Sequence, residues 1–211
     1  MAWRSDLDDV ARALAAGDGA QLALHARGRG LSGREHYELA ARLRAVASPS
    51  GSARAPGRLF VNDRLDIALA VRAAGVQLGR GSLGPADARR LDPTWWIGMS
   101  VHDLDEARTA QAAGADYLLV GPVYATATHP DRPPLGTGRF AEIAGLGLPA
   151  IAIGGVTPER VEALRAAGAY GVAAIRALWD ARDPGAAVRA FYQGLGVRNQ
   201  GLGLHPPAPS P

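Results

Sequence analysis

A tripeptide of two alanines and a glycine recurs four times in the chain, each time at the end of a helical pattern. Glycine ends a helix at low cost because it tolerates a left-handed backbone. A short apolar segment, typical of a strand, follows each tripeptide closely. A helix, a glycine and a strand repeated in this way predict parallel strands joined by helical crossovers. The tripeptides and their strands are Ala15-Ala16-Gly17 with Gln21–Leu24, Ala73-Ala74-Gly75 with Val76–Leu78, Ala112-Ala113-Gly114 with Tyr117–Val120, and Ala166-Ala167-Gly168 with Gly171–Ile175.

Three further apolar segments complete a set of seven predicted strands: Leu59–Val61, Trp96–Ser100 and Ala150–Ile153. An eighth strand would have to lie at Ala2–Arg4, because helical sequence starts at about Ser5. This number of βα units in 211 residues predicts an α/β fold, a compact (β/α)8 TIM barrel. Its first strand is then short or incomplete, or the barrel begins upstream of Met1. An open doubly wound sheet is the alternative.

Two segments are expected to be irregular. The predicted helix Arg34–Ala47 is followed by Ser48–Gly57, which is rich in serine, proline and glycine and predicts a flexible connection. Residues 197–211 are rich in glycine and proline and show no periodicity, which predicts a disordered tail. Residues 1–196 therefore form the predicted single barrel domain.

The composition excludes several kinds of chemistry. Cysteine is absent, so disulfides, cysteine zinc sites and thiol nucleophiles are excluded. All 23 basic residues are arginine, which excludes a Schiff base on lysine. The net charge is only +3 and no dense basic block occurs, so nucleic-acid binding is not expected. No apolar run reaches membrane-spanning length, and Asp6, Asp8 and Asp9 stand where a signal peptide would be apolar; we expect a cytoplasmic protein without membrane contact.

The wholly apolar run Pro149–Ile153 predicts a strand buried on both faces. A pair of glycines follows it and precedes a predicted helix start, Thr157-Pro158-Glu159. Gly154 and Gly155 at such a junction allow backbone N–H groups to approach an anion, which the positive end of the helix dipole also favours. A small molecule bearing a phosphate is the predicted ligand. An ordinary tight turn is the alternative, and this motif alone leaves both open.

In a barrel, the carboxyl ends of the strands would bring polar groups to one mouth. Each of these residues, taken singly, also fits a solvated loop or a helix cap; Asp63, for example, could cap a helix over Arg64–Ala73. Six of the eight strand ends carry such groups, which favours a binding site. The candidates are His25, Arg27, Arg29, Asn62, Asp63, Ser100 and His102, then Tyr124, Thr126, Thr128, His129, Asp131 and Arg132 in the loop Gly121–Gly136, and Gly154, Gly155 and Arg176.

Five segments in matching order and spacing resemble the thiamine phosphate synthase/TenI superfamily. They are residues 60–68 (FVNDRLDIA), 100–102 (SVH), 121–128 (GPVYATAT), 133–136 (PPLG) and 152–158 (AIGGVTP), and the resemblance covers about Leu7 to Tyr192. It implies a TIM barrel and a ligand built on thiazole phosphate. Two activities occur in the superfamily: synthesis of thiamine phosphate, and tautomerisation of a thiazole phosphate carboxylate by TenI-like proteins.

Departures from the synthase pattern favour the tautomerase. Synthases typically carry Gln-x-Arg-x-Lys where this chain has residues 25–29 (HARGR), a magnesium-binding acid where it has Ser82, and a lysine where it has His129. A pyrophosphate leaving group needs Mg²⁺ or several cations, and Arg27, Arg29 and Arg80 replace only the charge. However, one characterised kind of TenI carries histidine where this chain has Pro122.

The main prediction is therefore a TenI-like thiazole tautomerase, an isomerase that needs no metal or other cofactor. His25 would transfer the proton, with His129 as the alternative, because histidine titrates near neutral pH. The substrate would be oriented by Arg27, Arg29, Asn62, Asp63, Ser100, Thr126 and Thr128, and its phosphate held by Gly154, Gly155 and Arg176.

Two alternatives stay open. The first is a divergent thiamine phosphate synthase, in which Asp63 would bind Mg²⁺. The second is a barrel that binds thiazole or thiamine phosphate without catalysis. Three details are also open: Arg176 could be a salt-bridged residue turned away from the mouth, His102 could brace the next helix, and the chain could form a homo-oligomer. His36, inside a helix, and His205, in the tail, are given no functional role.

Overall fold

The computed structural model describes residues 9–11, 13, 22–28, 30–47, 58–127 and 132–196. Strands and helices alternate along these residues. The strands are β1 (Ala23–Ala26), β2 (Arg58–Asn62), β3 (Gly75–Leu78), β4 (Trp96–Val101), β5 (Tyr117–Val120), β6 (Ala150–Ile153) and β7 (Gly171–Ala173). The helices are α1 (Gly33–Ala47), α2 (Leu65–Ala70), α3 (Pro85–Leu91), α4 (Leu104–Ala112), α5 (Gly136–Ala144), α6 (Val161–Ala166), which follows the 3₁₀ turn Pro158–Arg160, α7 (Arg176–Trp179) and α8 (Pro184–Leu195).

The seven strands form one sheet in which each strand pairs in parallel with the next in the chain, in the order β1 to β7. This is the strand order of a TIM barrel, and it confirms the predicted α/β fold with helical crossovers. It excludes the doubly wound alternative, whose strand order reverses near the middle of the sheet. The predicted strand at Ala2–Arg4, the connection Ser48–Gly57 and the tail 197–211 lie outside the described residues.

One face of the sheet packs against the helices. Because side chains alternate along a strand, Leu59, Val61, Val76, Leu78 and Ile97 all point to this face, and each is fully buried. They belong to one core cluster with the inward side chains of α1, α2 and α3. Burying one such side chain stabilises the fold by about 1.5–3 kcal/mol. Burial of this face therefore stabilises the sheet, and the opposite face is not needed for packing against the helices.

Two glycines of the Ala-Ala-Gly repeat end a helix, as predicted, and a third does not. Gly114 and Gly168 follow their helices with positive φ angles of 88° and 87°. Gly75 instead lies in β3, and the left-handed position after α2 belongs to Arg72, with φ of 51°. A Cβ on Gly75 would lie 2.1 Å from the Trp96 carbonyl oxygen. The glycine is needed there because two backbones approach closely, not because a helix ends.

The apolar strand before the paired glycines is buried on one face only. Ala150 and Ala152 in β6 are buried, but Ile151 and Ile153 are half-buried. The prediction of a strand buried on both faces was therefore wrong for the face turned away from the helices.

None of the described helices has the length and apolar character needed to cross a membrane.

A partly buried ion pair connects neighbouring crossovers. Both Asp116 carboxylate oxygens accept from Arg89 Nη2 at 2.7 Å, and Asp116 also accepts from the Ile97 N–H at 2.7 Å. Arg89 donates further to the Trp95 carbonyl at 2.6 Å. The side chains of Arg89 and Asp116 are only 30% and 13% exposed, so this pair is screened less than an ordinary surface pair.

We expect Asp116→Ala to lower the free energy of unfolding by about 2–3 kcal/mol, because it leaves a partly buried guanidinium and a backbone N–H without their acceptor. Urea unfolding followed by circular dichroism measures this change. Asp105→Ala is the control, since the Asp105 side chain is 93% exposed in its contact with Arg108 and should change stability by less than about 0.5 kcal/mol. Equal losses in both variants would contradict this role for Asp116.

Candidate functional site

The face of the sheet turned away from the helices carries polar and aromatic side chains. His25 in β1 lies opposite Phe60 in β2 in the strand register, and Asn62 lies opposite Gln77 in β3. Gln77 Nε2 donates to the Ser100 hydroxyl in β4 at 3.0 Å. Three predicted residues, His25, Asn62 and Ser100, therefore lie on one face, as expected from their places near the carboxyl ends of parallel strands.

His25 is held by aromatic stacking and by its strand. Its ring stacks on Phe60, with centroids 5.2 Å apart and planes 12° apart, and Phe60 meets the Tyr117 ring edge-on at 5.8 Å. The end of β1 is fixed by His36, which is buried and whose Nε2 donates to the Ala26 carbonyl at 3.0 Å. His36 therefore has a structural role.

The environment of His25 lowers its pKa from 6.5 to about 4. The largest cause is the surrounding protein, which removes water from the ring; the Asn62 side chain raises the pKa, and the charge of Arg27 lowers it. Asn62 Oδ1 makes no hydrogen bond with a described residue. Water still reaches His25, which limits the size of the shift but not its direction. The lowered pKa keeps most of the His25 imidazole neutral at pH 7.

Two polar residues on this face were missed by the sequence analysis. Gln77 is fully buried, and its Oε1 has no hydrogen-bond partner among the described residues; the same is true of the buried Tyr117 hydroxyl. A Cβ on Gly98 would lie 2.1 Å from Tyr117 Cζ and 2.5 Å from Gln77 Oε1, so glycine makes room for both. A single glutamine between Val76 and Leu78, in an otherwise apolar strand, was the available signal.

Asp63 follows β2 and contacts the loop after β3. It has a positive φ of 63°, and its Oδ1 accepts from the Gly79 N–H at 3.0 Å and from the Ser82 hydroxyl. Ser82 therefore lies beside Asp63, where the resemblance expects a second acid. The alternative cap role is not observed, because α2 begins at Leu65 after an N-cap without a side-chain hydrogen bond.

Arg80 and His102, two other candidates at this rim, have protein partners. Arg80 forms an exposed ion pair with Glu106, so it is not free to replace a metal charge. The His102 ring donates through Nδ1 to the Gly121 carbonyl, and its backbone N–H donates to Glu106 at 2.9 Å. The His102 ring thus contacts the loop after β5, and only its backbone contacts the next helix, through Glu106.

The paired glycines after β6 form a turn that only glycine fits. Gly154 and Gly155 have φ angles of 94° and 63°. A Cβ on Gly154 would lie 2.6 Å from Pro122 Cα, and one on Gly155 would lie 2.5 Å from the Ala125 carbonyl oxygen. The N–H groups of Gly155 and Val156 donate to no described residue. The turn therefore presses against the loop after β5 and leaves amides available to an anion.

Arg176 is the first residue of α7 and is exposed. Its side chain makes no hydrogen bond or ion pair with the part of the chain that the structure describes, although its backbone carbonyl accepts from the Asp180 N–H at 2.8 Å. The alternative of a salt-bridged Arg176 thus finds no partner in these ranges. The N–H of Ile175, the preceding residue, also donates to no described residue.

The remaining candidates are only partly accessible. Arg27 and Thr126 are half-buried and interact with other groups. Arg29, Thr128, His129 and Asp131 lie outside the described residues. Within those residues, no three acidic or histidine side chains gather as a metal cluster, so Asp63 contributes a single carboxylate.

We expect the His25 imidazole to titrate below the ordinary pKa of 6.5, because the surrounding protein removes part of the water from its ring. NMR titration of ¹⁵N-labelled histidine measures the midpoint. Arg27→Gln should move the midpoint upward, because it removes a nearby positive charge. A wild-type midpoint at or above 6.5 would contradict the described environment.

Two comparisons with known proteins concern sequence. The family model described as thiamine monophosphate synthase (TMP-TENI) matches residues 3–178. A thiamine-phosphate synthase of Salinispora tropica is 44% identical over 167 residues, which are 77% of this chain and 77% of that protein. The thiamine biosynthesis bifunctional protein ThiM/ThiE of Symbiobacterium thermophilum is 48% identical over 159 residues, 72% of this chain. Those residues are 33% of that protein, so this chain spans about a third of its length.

A third comparison concerns structure. The thiamine phosphate pyrophosphorylase from Pyrococcus furiosus has a TM-score of 0.79 and 31% sequence identity, covering 92% of this chain and 90% of that one. The similarity extends over nearly all of both chains, in agreement with the strand order described above. Since the family model also covers well over half of the sequence, the chain belongs to the thiamine monophosphate synthase family.

Proposed function

We propose that the chain is a thiamine phosphate synthase, which joins hydroxymethylpyrimidine pyrophosphate to thiazole phosphate. The new bond forms between the pyrimidine methylene carbon and the thiazole nitrogen, and the carbon–oxygen bond to pyrophosphate breaks. The observation that carries the proposal is the 44% identity, over 77% of the chain, to a protein named for this activity. The comparisons thus favour the synthase alternative over the predicted tautomerase; none of the relatives described above is named as a tautomerase.

The neutral His25 supports the same choice. A tautomerase acid/base works best with a pKa near the operating pH, whereas the pKa of His25 is lowered to about 4. A neutral imidazole stacked on Phe60 suits the binding of an uncharged heteroaromatic ring instead. Its two ring nitrogens can donate one hydrogen bond and accept another. We assign His25 and Phe60 to the pyrimidine ring, with Asn62 and Ser100 orienting it on the same face.

The phosphate of the second substrate is assigned to the Gly154–Gly155 turn. Backbone N–H groups without described partners, at Gly155, Val156 and Ile175, suit the oxygens of a phosphate ester. Arg176 is exposed and follows Ile175, so its guanidinium can add a bidentate contact with the phosphate. This arrangement would hold thiazole phosphate at the rim, next to the loop after β5.

Asp63 and Ser82 would hold the Mg²⁺ ion of a synthase. The donor set fits, because Mg²⁺ is usually bound by one or two carboxylates with substrate phosphate oxygens and water completing its shell. When bound, the ion neutralises charge that develops on the departing pyrophosphate. Asp63 itself is fixed by the Gly79 N–H and the Ser82 hydroxyl, so its position does not depend on a metal.

We expect the purified chain to form thiamine phosphate from the two substrates in the presence of Mg²⁺. Asp63→Asn should lower kcat/KM by about 100-fold, and Ser82→Asp should lower the Mg²⁺ concentration for half-maximal rate by about tenfold, because each changes the number of carboxylates near the metal. Asp66→Asn is the matched control and should leave the rate unchanged, since Asp66, on α2, forms an ion pair with Arg64.

Three outcomes separate the candidate functions. Thiamine phosphate formation supports the synthase. Aromatisation of a thiazole phosphate carboxylate above the rate in buffer, without thiamine phosphate formation, would favour the tautomerase. Saturable binding of thiazole phosphate in calorimetry with neither reaction would favour the non-catalytic binder.

We expect Gly155→Ala to raise the KM for thiazole phosphate by at least about tenfold, because the new methyl group meets the Ala125 carbonyl and deforms the turn that supplies the amides. Gly147→Ala is the control: its φ of 91° imposes similar backbone strain, but nothing lies within 4 Å of the added Cβ. Steady-state kinetics compares the two. Equal KM values for Gly155→Ala and Gly147→Ala would place the phosphate elsewhere.

A further inference from the structure

Arg160, the last residue of the 3₁₀ turn before α6, connects the paired glycines with the loop after β5. Its Nη1 donates to the Gly155 carbonyl at 2.5 Å. Its guanidinium carbon lies 4.4 Å from the centroid of the Tyr124 ring, within the range of a cation–π contact. Tyr124 in turn donates its backbone N–H to the Gly154 carbonyl at 3.0 Å. These contacts close a ring of interactions around the turn.

The bond to Gly155 acts on the peptide unit that carries the Val156 N–H. The Gly155 carbonyl and the Val156 N–H belong to one amide, so a cationic donor on the oxygen polarises the N–H and strengthens it as a donor. That N–H has no partner among the described residues. The effect of Arg160 is therefore directed at whatever anion the turn receives.

The same contacts limit the conformations of the turn. Glycine loses more conformational freedom on ordering than any other residue, and here two glycines in sequence have positive φ angles. A turn that is already fixed before the ligand arrives binds it more tightly, because the ordering cost is not met on binding. Arg160 and Tyr124 supply this fixation from two different segments.

We propose that Arg160 is a positioning residue for the Gly154–Gly155 turn, which it fixes and polarises for a phosphate monoester through the Gly155 carbonyl and the Tyr124 ring. The proposal rests on the proposed function and deepens it. It differs from a direct contact between Arg160 and substrate, because one edge of the guanidinium is bound to Gly155 and one face is covered by Tyr124.

Calorimetry with thiazole phosphate and with the corresponding unphosphorylated thiazole alcohol tests this proposal on the full chain. Arg160→Met should raise the Kd for thiazole phosphate by about tenfold, equivalent to about 1.4 kcal/mol, and change the Kd for the alcohol by less than about twofold. Arg160→Lys keeps a charged donor and should recover most of the affinity. Tyr124→Leu should raise the same Kd by about threefold, because it removes only the ring contact.

Arg165→Met is the matched control, because Arg165 is an exposed arginine on α6 whose guanidinium lies beside Gly196, at the end of α8. It removes the same charge and should leave both Kd values unchanged. Thermal unfolding followed by circular dichroism should give the same Tm for the Arg160 variants as for the wild type, since Arg160 is exposed.

Three results would overturn the proposal: equal weakening of phosphate and alcohol, no effect of Arg160→Met, or a large effect of Arg160→Met with none of Tyr124→Leu, which would indicate direct contact with the ligand. A wild-type chain that binds thiazole phosphate but forms no thiamine phosphate overturns the proposed function alone. A chain that forms thiamine phosphate with unchanged KM in Arg160→Met overturns the positioning role alone. A wild type that binds no thiazole phosphate overturns both.

Discussion

Parallel pairing of consecutive strands decides which side chains of this protein meet. Each crossover returns the chain to the same end of the sheet, so the strands β1 to β7 all finish at one rim. Alternation along the strands then sends Leu59, Val61 and Val76 to the helices and Phe60, Asn62 and Gln77 to the other face. The aliphatic face supplies the burial that stabilises the sheet, and the polar face is thereby left with its hydrogen-bonding groups incompletely paired.

The rim is shaped by close backbone packing as much as by polar side chains. Gly154 and Gly155 fit against Pro122 and Ala125 with no room for a Cβ, so the Gly154–Gly155 turn packs directly against the loop after β5. A substitution that moves the backbone of either segment will displace the other, because protein interiors are close-packed and do not deform freely. The proposed places of thiazole phosphate at the turn, and of the pyrimidine ring on the face turned away from the helices, agree with this arrangement.

Much of the fold could be predicted from sequence because its signals are local. A helix of 3.6-residue period, a glycine and an apolar strand need no tertiary context, and helix α1 was placed within one residue, at Arg34–Ala47 against Gly33–Ala47. The resemblance identified the family, and strand ends correctly grouped His25, Asn62 and Ser100. The position of Ser82 beside Asp63 was also expected from the resemblance and is seen in the structure.

What sequence could not supply depends on contacts between distant segments. Gly75 follows the pattern of a helix end, but its role comes from the Trp96 carbonyl on the next strand. The lowered pKa of His25 depends on the protein packed around its ring, and the proposed role of Arg160 depends on Tyr124, which lies 36 positions earlier in the chain. The sequence analysis preferred the tautomerase because single departures such as Ser82 were given more weight than the similarity of the whole chain, whereas the comparisons favour the synthase.

The central claim is that the backbone of the paired glycines holds a phosphate ester at the rim. A heteroaromatic ring then lies on the inner face, the face of the sheet turned away from the helices. A crystal structure of the chain with thiamine phosphate tests it most directly. The account places phosphate oxygens within hydrogen-bond distance, about 2.7–3.2 Å, of the Gly155 or Val156 nitrogen, and the pyrimidine ring beside His25 and Phe60. A phosphate found away from these amides, or a pyrimidine outside the inner face, would contradict it.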